Sequence, residues 1–192
     1  HPRMHREVES ERMLANIHGT FYEVPFWIVG QAPLYTKMRP ICTHNKQISD
    51  FSTWNGLLVL AGLMPNASLS GRVFNSPNGK TSLWFGGIDD LWEFGKPVGV
   101  GGPWKNTKIK ANESSDPYLM TGYDKKTLVL ENKGAAETTI TVELDATGDG
   151  RFAAFQSFKL APGAKETLSS PIGSMPIGFG QFRRPRPTPP PN

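Results

Sequence analysis

The run Thr139-Ile140-Thr141-Val142-Glu143-Leu144 decides the fold class of this chain. Apolar and polar residues alternate through it, which is typical of a β-strand with one face on a core and the other toward water. Ile140, Val142 and Leu144 are therefore predicted to face a core. The threonines and Glu143 are predicted to face solvent, and the whole strand is expected at residues 138–146.

Runs of strand length lie on both sides of this stretch. They cover residues 118–122, 126–132, 152–160 and 165–170, and turn residues such as Lys133-Gly134, Gly148-Asp149-Gly150 and Pro162-Gly163 separate them. Strands at a spacing of about a dozen residues with hairpin turns between them indicate a sandwich. We therefore predict a small β-sandwich at residues 116–172. The tail at residues 173–192 is rich in proline and arginine and is predicted to be disordered.

The first half of the chain is also predicted to form short strands. Stretches rich in β-formers occupy residues 17–26, 39–44, 48–54, 57–63, 72–74 and 82–85, whereas residues 7–16 fit either a helix or a strand. Loops or turns are expected at residues 27–37, 65–71, 75–80 and 88–104. Residues 7–110 are thus predicted to form antiparallel sheets of a partial β-propeller, since 192 residues are too few for a whole one. The predicted fold class is all-β.

Charge and composition exclude several classes of function. The net charge is +4, but Arg183, Arg184 and Arg186 of the tail supply three of those charges, so the folded part is close to neutral and no nucleic-acid partner is expected. No run of 18 apolar residues exists, and no membrane span is predicted. Cys42 is the single cysteine, which excludes an intrachain disulfide and a cysteine-based zinc site.

Motifs for nucleophilic and cofactor chemistry are missing from the sequence. There is no Gly-x-Ser-x-Gly elbow of a serine hydrolase and no glycine-rich phosphate loop before a helix. Asp145 and Asp149 resemble half of a calcium loop, but the closing Glu is lacking and a hairpin turn is the favoured interpretation. No cofactor and no metal site are therefore predicted.

Several strings in the sequence resemble one family of large bacterial proteins. They are His18-Gly19-Thr20-Phe21-Tyr22-Glu23, Arg39-Pro40-Ile41 with Thr43-His44, Trp54-Asn55-Gly56-Leu57-Leu58-Val59-Leu60, Leu83-Trp84-Phe85-Gly86 with Asp89-Asp90-Leu91-Trp92, and Asp116-Pro117-Tyr118-Leu119-Met120-Thr121-Gly122-Tyr123-Asp124. Over residues 8–170 the chain resembles the C-terminal part of exported β-propeller proteins of polysaccharide metabolism, akin to lyases and glycosidases that act on rhamnose and glucuronate linkages.

This resemblance implies a function, a partner and a location. The chain is expected to be a fragment of a polysaccharide-processing protein of lyase or glycoside hydrolase type, acting on an acidic or rhamnose-containing glycan. The protein is expected to be secreted, periplasmic or on the cell surface. The chain opens in charged sequence without an initiator Met, so we expect further blades upstream, with which it associates. The alternative is a non-catalytic carbohydrate-binding or structural surface module.

Two histidines and a tyrosine are the candidate catalytic residues. If residues 17–26 form one strand, His18 and Tyr22 share a face and can serve as general base and acid. The alternative is a histidine that is merely hydrogen-bonded within a sheet. The same two interpretations apply to His44. Arg39 is a candidate to bind a uronate carboxylate through two parallel hydrogen bonds, and the alternative is a salt bridge at a strand end.

The remaining candidates are residues for contact with the sugar. Asp89 and Asp90 resemble the paired carboxylates of glycosidases, although adjacent residues of an extended chain point apart and loop carboxylates often cap turns. Trp54, Trp84 and Trp92 are candidates to stack on sugar rings. The alternative for the tryptophans of residues 84–104 is packing between the two predicted modules.

Overall fold

The fold is all-β, as predicted. The computed structural model describes residues 3–6, 13–24, 38–44, 46–65, 72–170 and 179–183. In these ranges every element but one short 3₁₀ helix is a strand, and every strand pair is antiparallel. The chain forms two compact units, with the boundary between Val98 and Gly99.

The first unit contains two four-stranded sheets. The first sheet has its strands in chain order: β1 (Arg3–Arg6), β2 (Met13–Ile17), β3 (Thr20–Val24) and β4 (Arg39–Thr43). The second sheet consists of β5 (Asp50–Trp54), β6 (Leu57–Leu63), β7 (Val73–Asn75) and β8 (Ser82–Gly86), in the order β5-β6-β8-β7. A 3₁₀ helix, Ile88–Phe94, follows β8.

The prediction of one strand across residues 17–26 is wrong. His18 and Gly19 have φ angles of +48° and +79° and form the turn between β2 and β3. Two consecutive positive φ angles match the twist of a two-residue hairpin. Asn55 and Gly56 make the same kind of turn between β5 and β6, with φ angles of +47° and +77°. The stretch was misassigned because a His-Gly pair is not among the usual hairpin pairs, whereas Asn-Gly is.

Both sheets of the first unit contribute to one hydrophobic core. The central strand β6 buries Leu58, Leu60 and Leu63, which agrees with the apolar strand predicted at residues 57–63. The buried residues of this core are Leu14, Phe21, Ile41, Cys42, Phe51, Leu58, Leu60, Leu63, Trp84 and Leu91. Leu91 comes from the 3₁₀ helix, so part of the predicted loop at residues 88–104 is helical and packs on the sheets.

The second unit also has two antiparallel sheets. Its strands are β9 (Tyr118–Leu119), β10 (Lys126–Glu131), β11 (Thr138–Asp145), β12 (Ala153–Leu160), β13 (Lys165–Ser170) and β14 (Phe179–Arg183). One sheet pairs β10 with β13, and the other has the order β12-β11-β14-β9. Ile140, Val142 and Leu144 of β11 are buried, as predicted. Thr139, Thr141 and Glu143 were expected to face solvent, but they are half-buried, and Oε2 of Glu143 is buried.

Two predicted boundaries differ in the structure. Residues 99–110 belong to the second unit, where Trp104 and Ile109 pack against its core of Leu130, Ile140, Val142, Leu144 and Leu160. The prediction of a disordered tail is wrong for β14, because this strand pairs with both β11 and β9. The rest of that tail, the predicted loop at residues 27–37 and most of the turn at residues 65–71 lie outside the described residues.

Replacement of Gly86 by Ala is expected to destabilise the first unit strongly. A Cβ there would collide with the indole of Trp84 and lie 2.8 Å from Oδ2 of Asp90. Overpacking of this kind costs about 1–3 kcal/mol. Gly79→Ala is the control, because Gly79 has a φ of +64° but open space around it, so only backbone strain of about 1 kcal/mol is added. Urea unfolding measures both losses, and a Gly86→Ala loss no larger than that of the control would contradict the close packing.

Candidate functional site

Three aromatic rings lie side by side on the outward face of the sheet β5–β8. They belong to Trp54, Phe85 and Phe74, and we call them the aromatic row. The centroid of the Trp54 ring lies 6.2 Å from that of Phe85, and the Phe85 centroid lies 5.5 Å from that of Phe74, both in edge-to-face geometry. Trp54 is 62% exposed and Phe74 is 63% exposed, with the half-buried Phe85 between them. The row is therefore a continuous aromatic surface open to solvent.

The sheet itself places these rings on one face. Side chains alternate between the two faces of a strand, so burial of Phe51, Leu60 and Trp84 directs their neighbours outward. The row then runs across the strands, from β5 to β8 to β7. Because β6 lies between β5 and β8, the ring of Trp54 must lean over β6 to approach Phe85.

Arg72 is the cation nearest this row in the strand register. The Phe85 N–H donates to the carbonyl oxygen of Arg72 at 3.1 Å, and Val73 pairs with Trp84, so Arg72 stands directly across from Phe85. Its Nη1 lies 3.7 Å from Oδ2 of Asp90. Oδ2 of Asp90 also accepts a hydrogen bond of 2.8 Å from the Gly87 N–H. Asp90 thus caps the 3₁₀ helix, the alternative role considered for it, and Asp89 beside it is exposed.

His44 is a buried, fixed histidine. Its Nδ1 accepts a hydrogen bond of 3.3 Å from the Lys46 N–H, so the ring proton is assigned to Nε2, which lies 3.1 Å from Oδ1 of Asn16. The ring also lies 5.2 Å from that of Phe21. Burial lowers the pKa of His44 below its usual value. The imidazole is therefore neutral at pH 7, with both nitrogens held by the protein.

The His18-Gly19 turn lies beside the His44 backbone, whose N–H donates to the Gly19 carbonyl oxygen at 2.7 Å. The expectation that His18 and Tyr22 share a strand face is wrong, because His18 lies exposed in the turn before β3 while Tyr22 lies half-buried within the strand. Arg39 donates from Nε and Nη2 to Oε2 of Glu23, at 3.1 Å and 2.7 Å. This is the salt bridge at a strand end, at the opposite end of β3 from the His18 turn.

The tryptophans have separate environments. Trp84 is 2% exposed and packs edge-to-face against Phe94 in the core, so it offers no ring face to a ligand. Trp92 is 65% exposed on the 3₁₀ helix and is not part of the row. Of the three tryptophans predicted to stack on sugar rings, Trp54 is the one that belongs to the row. Sequence reasoning missed Phe74 and Phe85, which the alternation of β7 and β8 around Val73 and Trp84 would have placed outward.

Asp145 organises a tight loop between β11 and β12. Its buried Oδ1 accepts hydrogen bonds from the N–H groups of Thr147, Gly148 and Asp149, and Oδ2 accepts one of 2.8 Å from the Gly150 N–H. The hydroxyl of Thr147 also bonds to Oδ1. Both carboxylate oxygens are thus used by the loop itself, in agreement with the hairpin turn favoured over a calcium loop.

The remaining chemical groups considered among the described residues are metal ligands and the Cys42 thiol. No three His, Cys, Asp or Glu side chains come together there as a metal site requires. Burial raises the pKa of the Cys42 thiol to about 11, so it is protonated at neutral pH and is not a nucleophile. Among the same residues no helix is long and apolar enough to cross a membrane.

Comparison with known proteins gives no assignment. No family model matches the chain, no curated protein is similar enough to match it, and no solved structure matches its fold. The exposed aromatic row and the occupied polar groups described above are therefore the observations from which a function is inferred.

Stability is expected to fall below about pH 6.5 because of His44. The folded chain binds a proton at His44 less readily than the unfolded chain, whose histidine has a pKa near 6.5. The stability that His44 contributes is therefore complete above pH 6.5 and is lost as the pH falls toward the folded pKa. NMR titration of the imidazole should give an inflection below 6.5, and His44→Gln should reduce the loss of unfolding free energy between pH 7.5 and pH 5.5. An inflection at or above 6.5 contradicts the assignment.

Replacement of Asp145 by Ala is expected to destabilise the second unit by about 1–3 kcal/mol. Four backbone N–H groups lose their acceptor, and that of the buried Gly148 is left unsatisfied, which costs about 1–3 kcal/mol. Asp149→Ala is the matched control, because its carboxylate is exposed and accepts a local hydrogen bond of 3.0 Å from the Arg151 N–H. Urea unfolding compares the two variants. Millimolar calcium should leave the wild-type midpoint unchanged, and a rise in it would favour the calcium loop instead.

Proposed function

We propose that this chain is a non-catalytic carbohydrate-binding module of a polysaccharide-processing protein. The aromatic row of Trp54, Phe85 and Phe74 is the observation that supports the proposal. A run of large exposed aromatic rings on one face of a sheet is uncommon on the surface of a soluble protein. Such a run marks a site where a ligand or another molecule binds. The proposed contact is with pyranose rings.

Aromatic rings suit sugars for physical reasons. One face of a pyranose presents C–H groups, while its hydroxyls point to the rim. A flat ring covers that face and releases water from both surfaces. Trp and Phe have few rotatable bonds, so their large area is fixed at little entropic cost. Phe85 touches both other rings, which restricts the positions of all three before a ligand arrives. A preorganised surface of this kind loses less free energy on binding.

Binding accounts for the described polar groups better than catalysis. A general base needs a nitrogen that is able to reach the substrate, and both ring nitrogens of His44 are engaged with Asn16 and Lys46. Arg39 is engaged with Glu23. His18 stands exposed in a turn, away from the salt bridge at the other end of β3. The proposed recognition therefore relies on the aromatic rings.

The resemblance extends this proposal to a larger protein. It suggests that the sheets of the first unit are the last blades of a propeller and that the second unit is an accessory sandwich. The strand order β1-β2-β3-β4 supports the first part, since a propeller blade is a four-stranded antiparallel sheet. Lyase or glycoside hydrolase activity and an extracellular or periplasmic location are proposed on the same basis for the longer polypeptide.

Trp54→Ala is expected to weaken glycan binding about 10-fold to 30-fold. Removal of a large aromatic contact costs about 2 kcal/mol, and 1.4 kcal/mol corresponds to a factor of ten. Affinity electrophoresis in gels containing rhamnogalacturonan measures the change, and quenching of tryptophan fluorescence gives an independent value. Phe74→Ala should weaken binding in the same direction.

Trp92→Ala is the matched control for this experiment. Trp92 is 65% exposed and Trp54 is 62% exposed, so both variants remove a similar exposed indole, but Trp92 lies outside the row. The control should bind as the wild type does. Equal losses in both variants, or no binding of any polysaccharide by the wild type, would sink the proposal.

A further inference from the structure

We infer that Arg72 makes the aromatic row selective for acidic glycans, by pairing with the carboxylate of a uronic acid. This inference rests on the proposed glycan binding and adds the class of sugar and the residue that recognises it. The sequence pointed to Arg39 for this role, and the structure favours Arg72.

The strand register puts Arg72 beside the centre of the row. Arg72 is the residue opposite Phe85 on the edge strand side, and residues directly opposite in an antiparallel pair have Cβ atoms about 4.5–5.5 Å apart. Phe74 is two residues further along the same strand direction and therefore faces the same side. Arg72 and Phe74 thus branch from the outward face beside Phe85, and the Arg72 guanidinium extends to Asp90, which follows β8.

The guanidinium of Arg72 is held only loosely. Its Nη1 lies 3.7 Å from Oδ2 of Asp90, beyond hydrogen-bond distance, and the side chains are 59% and 43% exposed. An exposed pair of this kind contributes about 0–1 kcal/mol. Oδ2 of Asp90 keeps its hydrogen bond of 2.8 Å from the Gly87 N–H in any case. A ligand carboxylate can therefore replace Asp90 as the partner of the guanidinium, and Asp90 still accepts its hydrogen bond from Gly87.

Arg39 is held more firmly than Arg72, although the two side chains are equally exposed. It is also 59% exposed, but it makes two hydrogen bonds to Oε2 of Glu23, at 2.7 Å and 3.1 Å. A ligand carboxylate would have to replace Glu23 in both of these hydrogen bonds. Of the two arginines, Arg72 is the one whose donors are open to exchange and the one that lies beside the aromatic row.

The chemistry of a uronic acid fits this arrangement. Its carboxylate is attached at C5 and lies at the rim of the pyranose ring. When the ring stacks on Phe85 or Phe74, the long Arg72 side chain, which branches from the same face beside Phe85, is able to reach that rim by leaving Asp90. A guanidinium binds a carboxylate through two parallel N–H donors, with charge on both partners. Stacking and ion pairing thus act on the same sugar residue.

The experiment compares polygalacturonate with the same polymer after reduction of its carboxyl groups to alcohols. The two probes share ring geometry and linkage and differ in charge. Wild type, Arg72→Ala, Arg72→Lys and Arg39→Ala are measured by affinity electrophoresis, with circular dichroism to confirm that each variant is folded. Wild type is expected to bind the acidic polymer at least ten times more tightly than the reduced one, with a preference that declines as salt is raised.

Arg72→Ala is expected to bring the two affinities within about twofold, since tenfold corresponds to 1.4 kcal/mol of lost pairing. Arg72→Lys should keep part of the preference, and Arg39→Ala should keep all of it. An Arg72→Ala protein that still prefers the acidic polymer, or equal losses in the Arg72 and Arg39 variants, overturns the inference. If binding of the reduced polymer still depends on Trp54 in that case, the proposed function stands. A wild type that binds neither polymer overturns both.

Discussion

Opposite orientation of neighbouring side chains in a strand is the constraint on which the first unit depends. Burial of Leu58, Leu60 and Trp84 fixes the inner face of the sheet β5–β8, and the backbone then has no freedom over where Trp54 and Phe85 point. A shift of one residue in the register would exchange the two faces. The exposed aromatic surface and the buried core are therefore two results of one pairing pattern.

Strand pairing also explains why Arg39 and Arg72 differ in what they bind. Both have the same exposed fraction, and neither differs from the other in intrinsic chemistry. Arg39 stands across from Glu23 in the register of β3 and β4, so its charge is satisfied within the sheet. Arg72 stands across from Phe85, which has no charge to offer, and it reaches Asp90 only at 3.7 Å. What a cation is able to bind is thus determined by the residue opposite it.

Periodicity predicted the parts of the fold that depend on local sequence. The alternation of residues 139–144 and the apolar run of residues 57–63 both became strands with the expected buried side chains. The His18-Gly19 turn was missed because the positive φ of a histidine is not visible in its residue type. The sequence left two interpretations open for Trp84, stacking on sugar rings and packing between the predicted modules, whereas its contact with Phe94 of the 3₁₀ helix exists only in the folded chain. Register likewise decides which candidate site residues lie close together, and residue types alone do not show it.

The Asp145 loop has a consequence for the order in which the second unit folds. It joins β11 to β12 across a few residues, so the two strands pair at short sequence separation, whereas β14 joins β11 from much further along the chain. Hairpins of local sequence form within about 1–10 μs, while distant pairing must first overcome the entropy of loop closure. A carboxylate that gathers the N–H groups of its own loop thus favours early formation of the β11–β12 hairpin, on whose free edge β14 later docks.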